Sequence, residues 1–411
     1  MGLFKRTKNN GRPLIRQLLD LIPRHVINSC IKQHQSNKGC HKYLTYDQLV
    51  ALTFGQLNKC QTLEDISTAI SVSETFIGDL GLRQSPARST MSDGNRQRSY
   101  HVFESLYYKL LKYYEQLLRA KHRENMMEEI KGKVIKLIDS TTISLCLSLF
   151  NWAKFRTAKG GIKIHTCWDD AMMIPDLINI TPAAVHDSKG FKKQVFAKGT
   201  ILIEDRAYLD FDLMVARIQA GNIFVTRIKD NTVYQVVHDL PLPVETPSHV
   251  IKDQLIHLTG KKAGTSGVTI HQLRLVTVYE EKKKHILQII TNNLDWTAAS
   301  IAALYKKRWD IELFFKALKQ NLQVKTFIGT SENAVKSQLY VALICYLLLE
   351  LIRRNTCKTI QALSNFTERI RICLTYYLSL DYVCNGIVQG ANRIRVRDPD
   401  LFDRQQDLFS R

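Results

Sequence analysis

The chain has 411 residues, 45% hydrophobic and 23% charged, an ordinary globular composition long enough for two or three domains with separate cores. Lys and Arg number 58 against 38 Asp and Glu, a net charge of +20, so a polyanionic partner is expected; a ribosomal or membrane-surface protein has the same balance. Nine cysteines with no CxxC pair argue against a disulfide framework and for free thiols in a reducing cytoplasm, and the basic N-terminus lacks the apolar stretch of a signal peptide.

The basic excess starts early: residues 1–60 hold ten Lys or Arg against Asp20 and Asp47. Through residue 127 the spacing predicts helices, with capping boxes at Thr45 and Gln48, Thr62 and Asp65, and Ser71 and Glu74. Short helices with polar turns suit a helix-turn-helix type of module. Next, Pro86 to Ser99 reads as a basic loop in which Arg88, Arg96 and Arg98 stand among hydroxyls, a mix able to hold phosphates. A long helix from His101 to Arg123 follows.

Near residue 131 the pattern turns strand-like. KVIKLIDSTTISL is an apolar, β-branched run leading to Asp139, where a strand-end carboxylate can face a cleft. A loop with Arg156 and Lys159 precedes two strands, GIKIHTCWDD and MMIPDLINITPAAV. HDSKGFKKQVF reads as a helix capped by Asp187, GTILIEDRAYLD as a strand ending in Asp205, and FDLMVARIQAG as a helix stopped by Gly221. That order predicts an α/β fold. From about 226 to 285 the run is strand-like without a helical period, a β-rich insertion. HILQIITNN then returns to the core sheet.

Tyr305 to Lys319 contains no Gly or Pro and reads as one amphipathic helix. At about 100° per residue, Tyr305, Arg308, Glu312, Lys316 and Lys319 fall in one stripe, opposite Leu304, Ile311, Phe314, Leu318 and Leu322. One carboxylate among four such neighbours suits phosphoryl transfer on a polyanion, although any exposed helix can carry a Glu and Lys pair at i,i+4. From Ser331 to Ser379 the chain is helical and apolar; Leu339 to Ile352 is too short to span a bilayer and contains Glu350, so it reads as a buried helix. A polar tail ends the sequence.

Asp139, Asp205 and Glu312 in this order, with Tyr305-x2-Arg308-x3-Glu312-x6-Lys319, resemble the bacterial DDE transposases of the insertion sequence 4 family and their Y-R-E-K signature. IDSTTISL, KGGIKIH around His165 and IEDRAY are also similar to that family's motifs, and His186-Asp187 matches more loosely. The resemblance implies an RNase H-like core with the β-rich insertion. It divides the chain into a helical DNA-end-binding domain at 1–127, a catalytic domain at 128–375 and a tail at 376–411. By the same resemblance, Asp139, Asp205 and Glu312 are catalytic and hold two Mg²⁺ ions, with Mn²⁺ as a substitute. Tyr305, Arg308, Lys316 and Lys319 bind DNA, as do Arg88, Arg96, Arg98, Arg156 and Lys159. The implied function is binding of terminal inverted repeats, cleavage and strand transfer by a homodimer on double-stranded DNA. The implied place is the bacterial cytoplasm, at the nucleoid, with no membrane. An RNase H-like nuclease without joining activity and a catalytically inactive DNA-binding regulator share the same residue pattern.

Overall fold

A computed structural model describes residues 11–119 and 128–386, apart from 147, 157–158, 282–283, 323, 325, 358 and 360–361. The end of the helix expected to reach Arg123, and the expected tail from 387 on, lie outside the described residues. The chain forms two compact units, Met1–Ser92 with Ile344–Arg411, and Asp93–Leu343. These breaks fall at other places than 127 and 375.

In the first unit, α1 (Leu14–Leu19), α2 (Arg24–His34) and α3 (Thr45–Asn58) are followed by α4 (Leu63–Ile70) and α5 (Glu74–Asp79). Nearly all of α3 is buried, including its polar Thr45 and Gln48, as expected of a helix at the centre of a bundle. The chain returns near its C-terminal end to this unit: the Leu14 and Ile15 N–H groups donate to the Tyr376 and Leu374 carbonyls, each at 2.9 Å. Only one of the three expected capping boxes forms as read, Thr62 with Asp65. Leu44, not Thr45, caps α3, with Asp47 accepting from the Leu44 N–H; Ser71 ends α4, and Ser73 caps α5. The Ser73 hydroxyl accepts from the Phe76 N–H at 3.4 Å, so the α5 cap is a hydroxyl two residues after the expected one.

Residues 86–99 are not the expected loop. They contain α6 (Arg88–Gln97), pinned by Met91 and Asn95, buried four residues apart. The helix α7 (His101–Arg119) belongs to the second unit because it is hydrogen-bonded to the sheet. Tyr107 donates to the Pro175 carbonyl at 2.5 Å, Tyr108 accepts from the Ile178 N–H at 3.0 Å, and Arg119 meets Asp169 at 3.3 Å.

The sheet begins with β1 (Ile135–Leu145), β2 (Lys154–Arg156), β3 (Lys159–Asp169), β4 (Ile174–Pro182) and β5 (Ile201–Glu204). After α8 (Phe211–Gln219) come β6 (Ile223–Arg227), β7 (Tyr234–Asp239), β8 (Val250–Leu258), a short α9 (Lys261–Ser266), β9 (Leu273–Glu280) and β10 (His285–Thr291). The order is β2-β3-β1-β5-β6-β10-β9-β8-β7, with β4 on β3. Here β1, β5 and β6 run parallel, and all four residues of β5 are buried, the pattern of a strand covered on both faces. Cores on this sheet include Ile138, Phe191, Leu202 and Tyr208, and a second group around Phe224, Ile256 and Leu275 under α8. The strands of 226–285 extend the same sheet through β10, and α9 interrupts what the sequence suggested was strand throughout.

Two further expectations change. His186 to Phe196 forms only a 3-10 turn at Asp187–Lys189, capped by His186 rather than Asp187. Side chains of the sheet bind that segment in place of helical hydrogen bonds: Asn179 Nδ2 donates to the Gly190 carbonyl at 3.0 Å and Lys163 Nζ to the Val185 carbonyl at 2.9 Å. The expected single helix over Tyr305–Lys319 is two helices, α10 (Ala298–Lys306) and α11 (Arg308–Gln320). At the joint the ladder tightens to i−3 bonds, Lys307 N to Leu304 O at 3.0 Å and Asp310 N to Lys307 O at 2.9 Å. The Lys307 ammonium is held there by both oxygens of buried Asp170, at 2.9 and 3.0 Å. Two more helices, α12 (Glu332–Asn355) and α13 (Leu363–Cys373), and a π-helical turn at Tyr382–Gly386 end the described fold. The apolar window of α12 is 94% buried, so its length and composition serve a core.

Candidate active site

Parallel pairing of β1 with β5 ends at Ile138 opposite Glu204, and the Asp205 N–H then donates to the Ile138 carbonyl at 3.4 Å. The next residues on the two strands are Asp139 and Asp205. Asp139 is not the end of its strand, as expected, because β1 continues to Leu145 against β3. It stands where the parallel partner stops. Its Oδ1 accepts from the Ser140 N–H at 2.7 Å, and Asp205 Oδ1 accepts from the Ala207 N–H at 3.0 Å, so each carboxylate is fixed by its own turn.

Both acids meet Arg308, the first residue of α11. Arg308 Nη1 lies 3.2 Å from Asp139 Oδ2 and 3.8 Å from Asp205 Oδ2, and Nη2 lies 2.6 Å from Glu312 Oε1, one helical turn on. The three carboxylates predicted from sequence are thus gathered about one guanidinium. Burial first, and then the Asp205 charge, push the Asp139 carboxyl up to about 7, against the pull of the Ser140 N–H and Arg308. Burial works against the Arg308 charge, but Tyr305, Glu312 and Asp139 outweigh it and raise its pKa.

Asp139, Ser140, Thr141, Glu312, Phe315, Lys316, Lys319 and Gln320 line an open cleft of ≈ 420 Å³. Lys316 is exposed and Lys319 half-buried beside the acids, at the helical spacing the sequence predicted. Tyr305 is not on that stripe. It lies in the last turn of α10, is buried at 8% exposure, and its ring centroid lies 5.9 Å from the Arg308 guanidinium. On the other side of Asp205, a second cleft of ≈ 480 Å³ is lined by Arg206, Lys229 and Asp230, with Arg206 paired to Asp230 at 3.7 Å.

Elsewhere, Arg88 and Arg96 are exposed on α6, where Arg96 pairs with Asp93 at 2.7 Å. Arg98 is buried at 7% exposure. Arg156 ends β2 and Lys159 opens β3; their side chains lie outside the described part.

Sequence reasoning missed a polar group behind Asp139. Neighbours in a strand project to opposite faces, so Ser140 turns away from Arg308, and its hydroxyl donates to Asp187 Oδ1. Lys163 Nζ lies 3.1 Å from the same oxygen. Burial opposes the Asp187 charge, but the Ser140 hydroxyl and Lys163 hold its carboxyl below the usual range. His165, fully buried beside this group, contacts Thr181 Oγ1 at 3.1 Å, and its Nδ1 faces Gly190, where any Cβ would stand 2.3 Å away. Its members lie in motifs the sequence showed, Ser140 in IDSTTISL, Lys163 and His165 in KGGIKIH and Asp187 beside His186, but no spacing joined them.

The three carboxylates, Asp139, Asp205 and Glu312, are oxygen donors of the kind a hard divalent cation takes. Among the described residues no group of three or more His, Cys, Asp or Glu stands together closely enough to hold a metal ion directly, and Arg308 occupies the centre of the acid cluster.

Comparison with known proteins agrees with the sequence patterns. Residues 130–348, a little over half of the chain, match the family described as Transposase DDE domain, and residues 10–83 match a domain of unknown function, DUF4372. A protein of Sinorhizobium fredii (strain NBRC 101917 / NGR234) named as transposase y4zB is 34% identical over 71% of this chain and 78% of its own length. The transposase named for insertion sequence element IS5377 of Geobacillus stearothermophilus is 29% identical over 61% of this chain and 65% of its own. One named for insertion sequence element IS4SA of Synechocystis sp. (strain ATCC 27184 / PCC 6803 / Kazusa) is 28% identical over 64% and 71%. Among solved structures, the piggyBac transposase synaptic complex with hairpin DNA aligns over 98% of this chain and 86% of that chain, at a TM-score of 0.41 and 11% identity.

The three clustered acids fall inside the matched region, and the match defines the class, a transposase. The chain belongs to the DDE transposase family.

Proposed function

We propose that the chain is an insertion-sequence transposase of the insertion sequence 4 type, with an RNase H-like core built on β1, β5 and β6. It binds the terminal inverted repeats of its element, cleaves there and joins the ends to target DNA. The observation that carries this reading is the meeting of Asp139, Asp205 and Glu312 at one guanidinium, within 2.6 to 3.8 Å. Three carboxylates set about one cation repel one another without it, so the cluster suits an exchange of Arg308 for other cations.

Asp139, Asp205 and Glu312 would hold two Mg²⁺ ions, with Mn²⁺ as a substitute. Bound there, the ions would activate a water or 3′-hydroxyl and stabilise the leaving oxygen of an in-line displacement. The chain's own residues do the rest. Arg308 balances the acids while no DNA is bound and, as the transposon end arrives, transfers its fork to a phosphate, which it grips bidentately. Lys316 and Lys319 place point charges along the same backbone, and Tyr305 supports Arg308 from beneath. Arg88 and Arg96, with Arg156 and Lys159, add phosphate contacts away from the chemistry. The N-terminal helices bind the ends, and two copies hold two ends in a synaptic homodimer, with residues from about 331 onward contributing to the contact. The working place is the nucleoid.

The test incubates purified protein with a labelled, precleaved transposon end and a supercoiled plasmid, in Mg²⁺ and in EDTA, beside Asp205→Ala. Joined product that requires Mg²⁺ and is absent with Asp205→Ala is expected. Cleavage without joining in the same lanes would assign a nuclease, and end binding without either would assign a regulator.

A further inference from the structure

We infer that α2 is the helix with which the N-terminal unit reads the sequence of duplex DNA, an inference that rests on the transposase reading and gives its end binding a surface. The helix has 11 residues, starts after Pro23 and stops at Gln35, which adopts the left-handed conformation with φ 46°. Val26, Ile27 and Cys30 are buried and fix it to the unit. Arg24, His25, Asn28, Ser29, Lys32 and Gln33 are all exposed, and at about 100° per residue they cover roughly half of the circumference.

The sequence of this helix and of the loop after it carries charge of one sign. No Asp or Glu occurs between Asp20 and Asp47, whereas Arg24, Lys32, Lys38 and Lys42 do, and the last two are exposed in the loop that follows. The neighbouring pair α4 and α5 has the outline of a helix-turn-helix but the opposite charge. No Lys or Arg lies between Lys59 and Arg83, and Glu64, Asp65 and Glu74 are exposed there. Phosphates repel that pair, which leaves α2 as the helix of this region able to approach a duplex.

The side chains also fit readout rather than charge alone. Arg24 carries paired donors that match a guanine edge in the major groove, Asn28 and Gln33 each carry a donor beside an acceptor that matches an adenine edge, and Lys32 suits a phosphate. Arg24 is partly preset, its guanidinium 4.1 Å from the centroid of the Tyr46 ring. A helix about 10–12 Å wide enters the ~12 Å major groove of B-form DNA. The A-form RNA groove is too narrow for it. A lipid surface would need an apolar face toward solvent, and the apolar face of α2 is spent on its own core.

The experiment uses the full chain and two labelled duplexes, one from the terminal repeat flanking its coding sequence and one of scrambled sequence. Wild type is expected to prefer the terminal duplex. Asn28→Ala with Gln33→Ala should weaken binding to it about tenfold and leave the scrambled duplex unchanged. Lys32→Ala should weaken both alike and lower the salt slope by about one, while Glu64→Gln should weaken neither. If the Asn28 and Gln33 variant, folded as judged by unchanged thermal unfolding, keeps the wild-type preference, α2 is not the reader and the transposase reading stands. If wild type itself shows no preference for the terminal duplex, end binding falls instead. Stronger binding to double-stranded RNA of the same sequence, or to anionic vesicles, that is lost with Lys32→Ala would also overturn the assignment.

Discussion

Arg308 lies 3.2 Å from Asp139, a residue 169 positions earlier in the chain, and it reaches Glu312 on its own helix with the other arm of its fork. A permanent charge therefore balances the acid cluster from within the protein. The guanidinium and a divalent cation compete for the same oxygens, and a phosphate competes for the guanidinium.

Arg308→Ala is expected to leave the acids facing one another. In EDTA the variant should unfold at lower temperature than wild type, by the equivalent of about 1–3 kcal/mol, the usual consequence of removing one partner of a buried charge-assisted bond. Added Mg²⁺ should raise its melting temperature more than that of wild type, because the ion replaces the missing charge. Calorimetry with and without Mg²⁺ checks both; equal shifts in the two proteins would mean that Arg308 does not share the cation's place.

Asp187 is expected to act as a positioning residue. Its bonds to Ser140 and Lys163 hold the strand segment beside Asp139 from the face opposite Arg308. Asp187→Ala strands the Lys163 ammonium, only 12% exposed, and should destabilise the protein by about 1–3 kcal/mol. Strand transfer should slow while affinity for the DNA end is unchanged, and Asp187→Asn should recover part of the rate. A loss of affinity equal to the loss of rate would sink the positioning role.

His165 gives a pH dependence with a definite sign. Burial first, and Lys163 with it, lower its pKa from 6.5 to about 4, against the pull of Asp187. The folded value lies below the unfolded one, so the stability that depends on a neutral imidazole is complete above about pH 6.5 and is lost as pH falls through about 4. At most about 3 kcal/mol is at stake. Urea midpoints of wild type and His165→Asn at pH 7 and at pH 4 should show a smaller acid loss in the variant. Parallel losses would place the acid sensitivity elsewhere.

Local patterning was enough for some elements. The apolar runs before Asp139 and Asp205 form β1 and β5, which pair in parallel, and β5 is buried at every position, as a strand covered on both faces requires. The spacing of Glu312, Lys316 and Lys319 with Leu318 and Phe314 placed polar groups on one side of α11, since a 3.6-residue period is a property of the chain itself. Composition alone pointed to an anionic partner.

Other features exist only through contacts distant in sequence. Tyr305 and Arg308 look like one helical stripe, yet Lys307 is bonded to Asp170, 137 positions away, at the joint where the helix divides. The segment at Asp187 has a helical composition, yet Ser140, Lys163 and Asn179 bond it to the sheet as a single turn. The sequence by itself determined the residue types, the strand and helix periods and the positive charge, because these depend on near neighbours and on totals. The tertiary structure decided the meeting of Asp139, Asp205 and Glu312 at Arg308 and the support behind Asp139. Charges separated by scores of residues interact only after the sheet's register has brought them within a few ångströms.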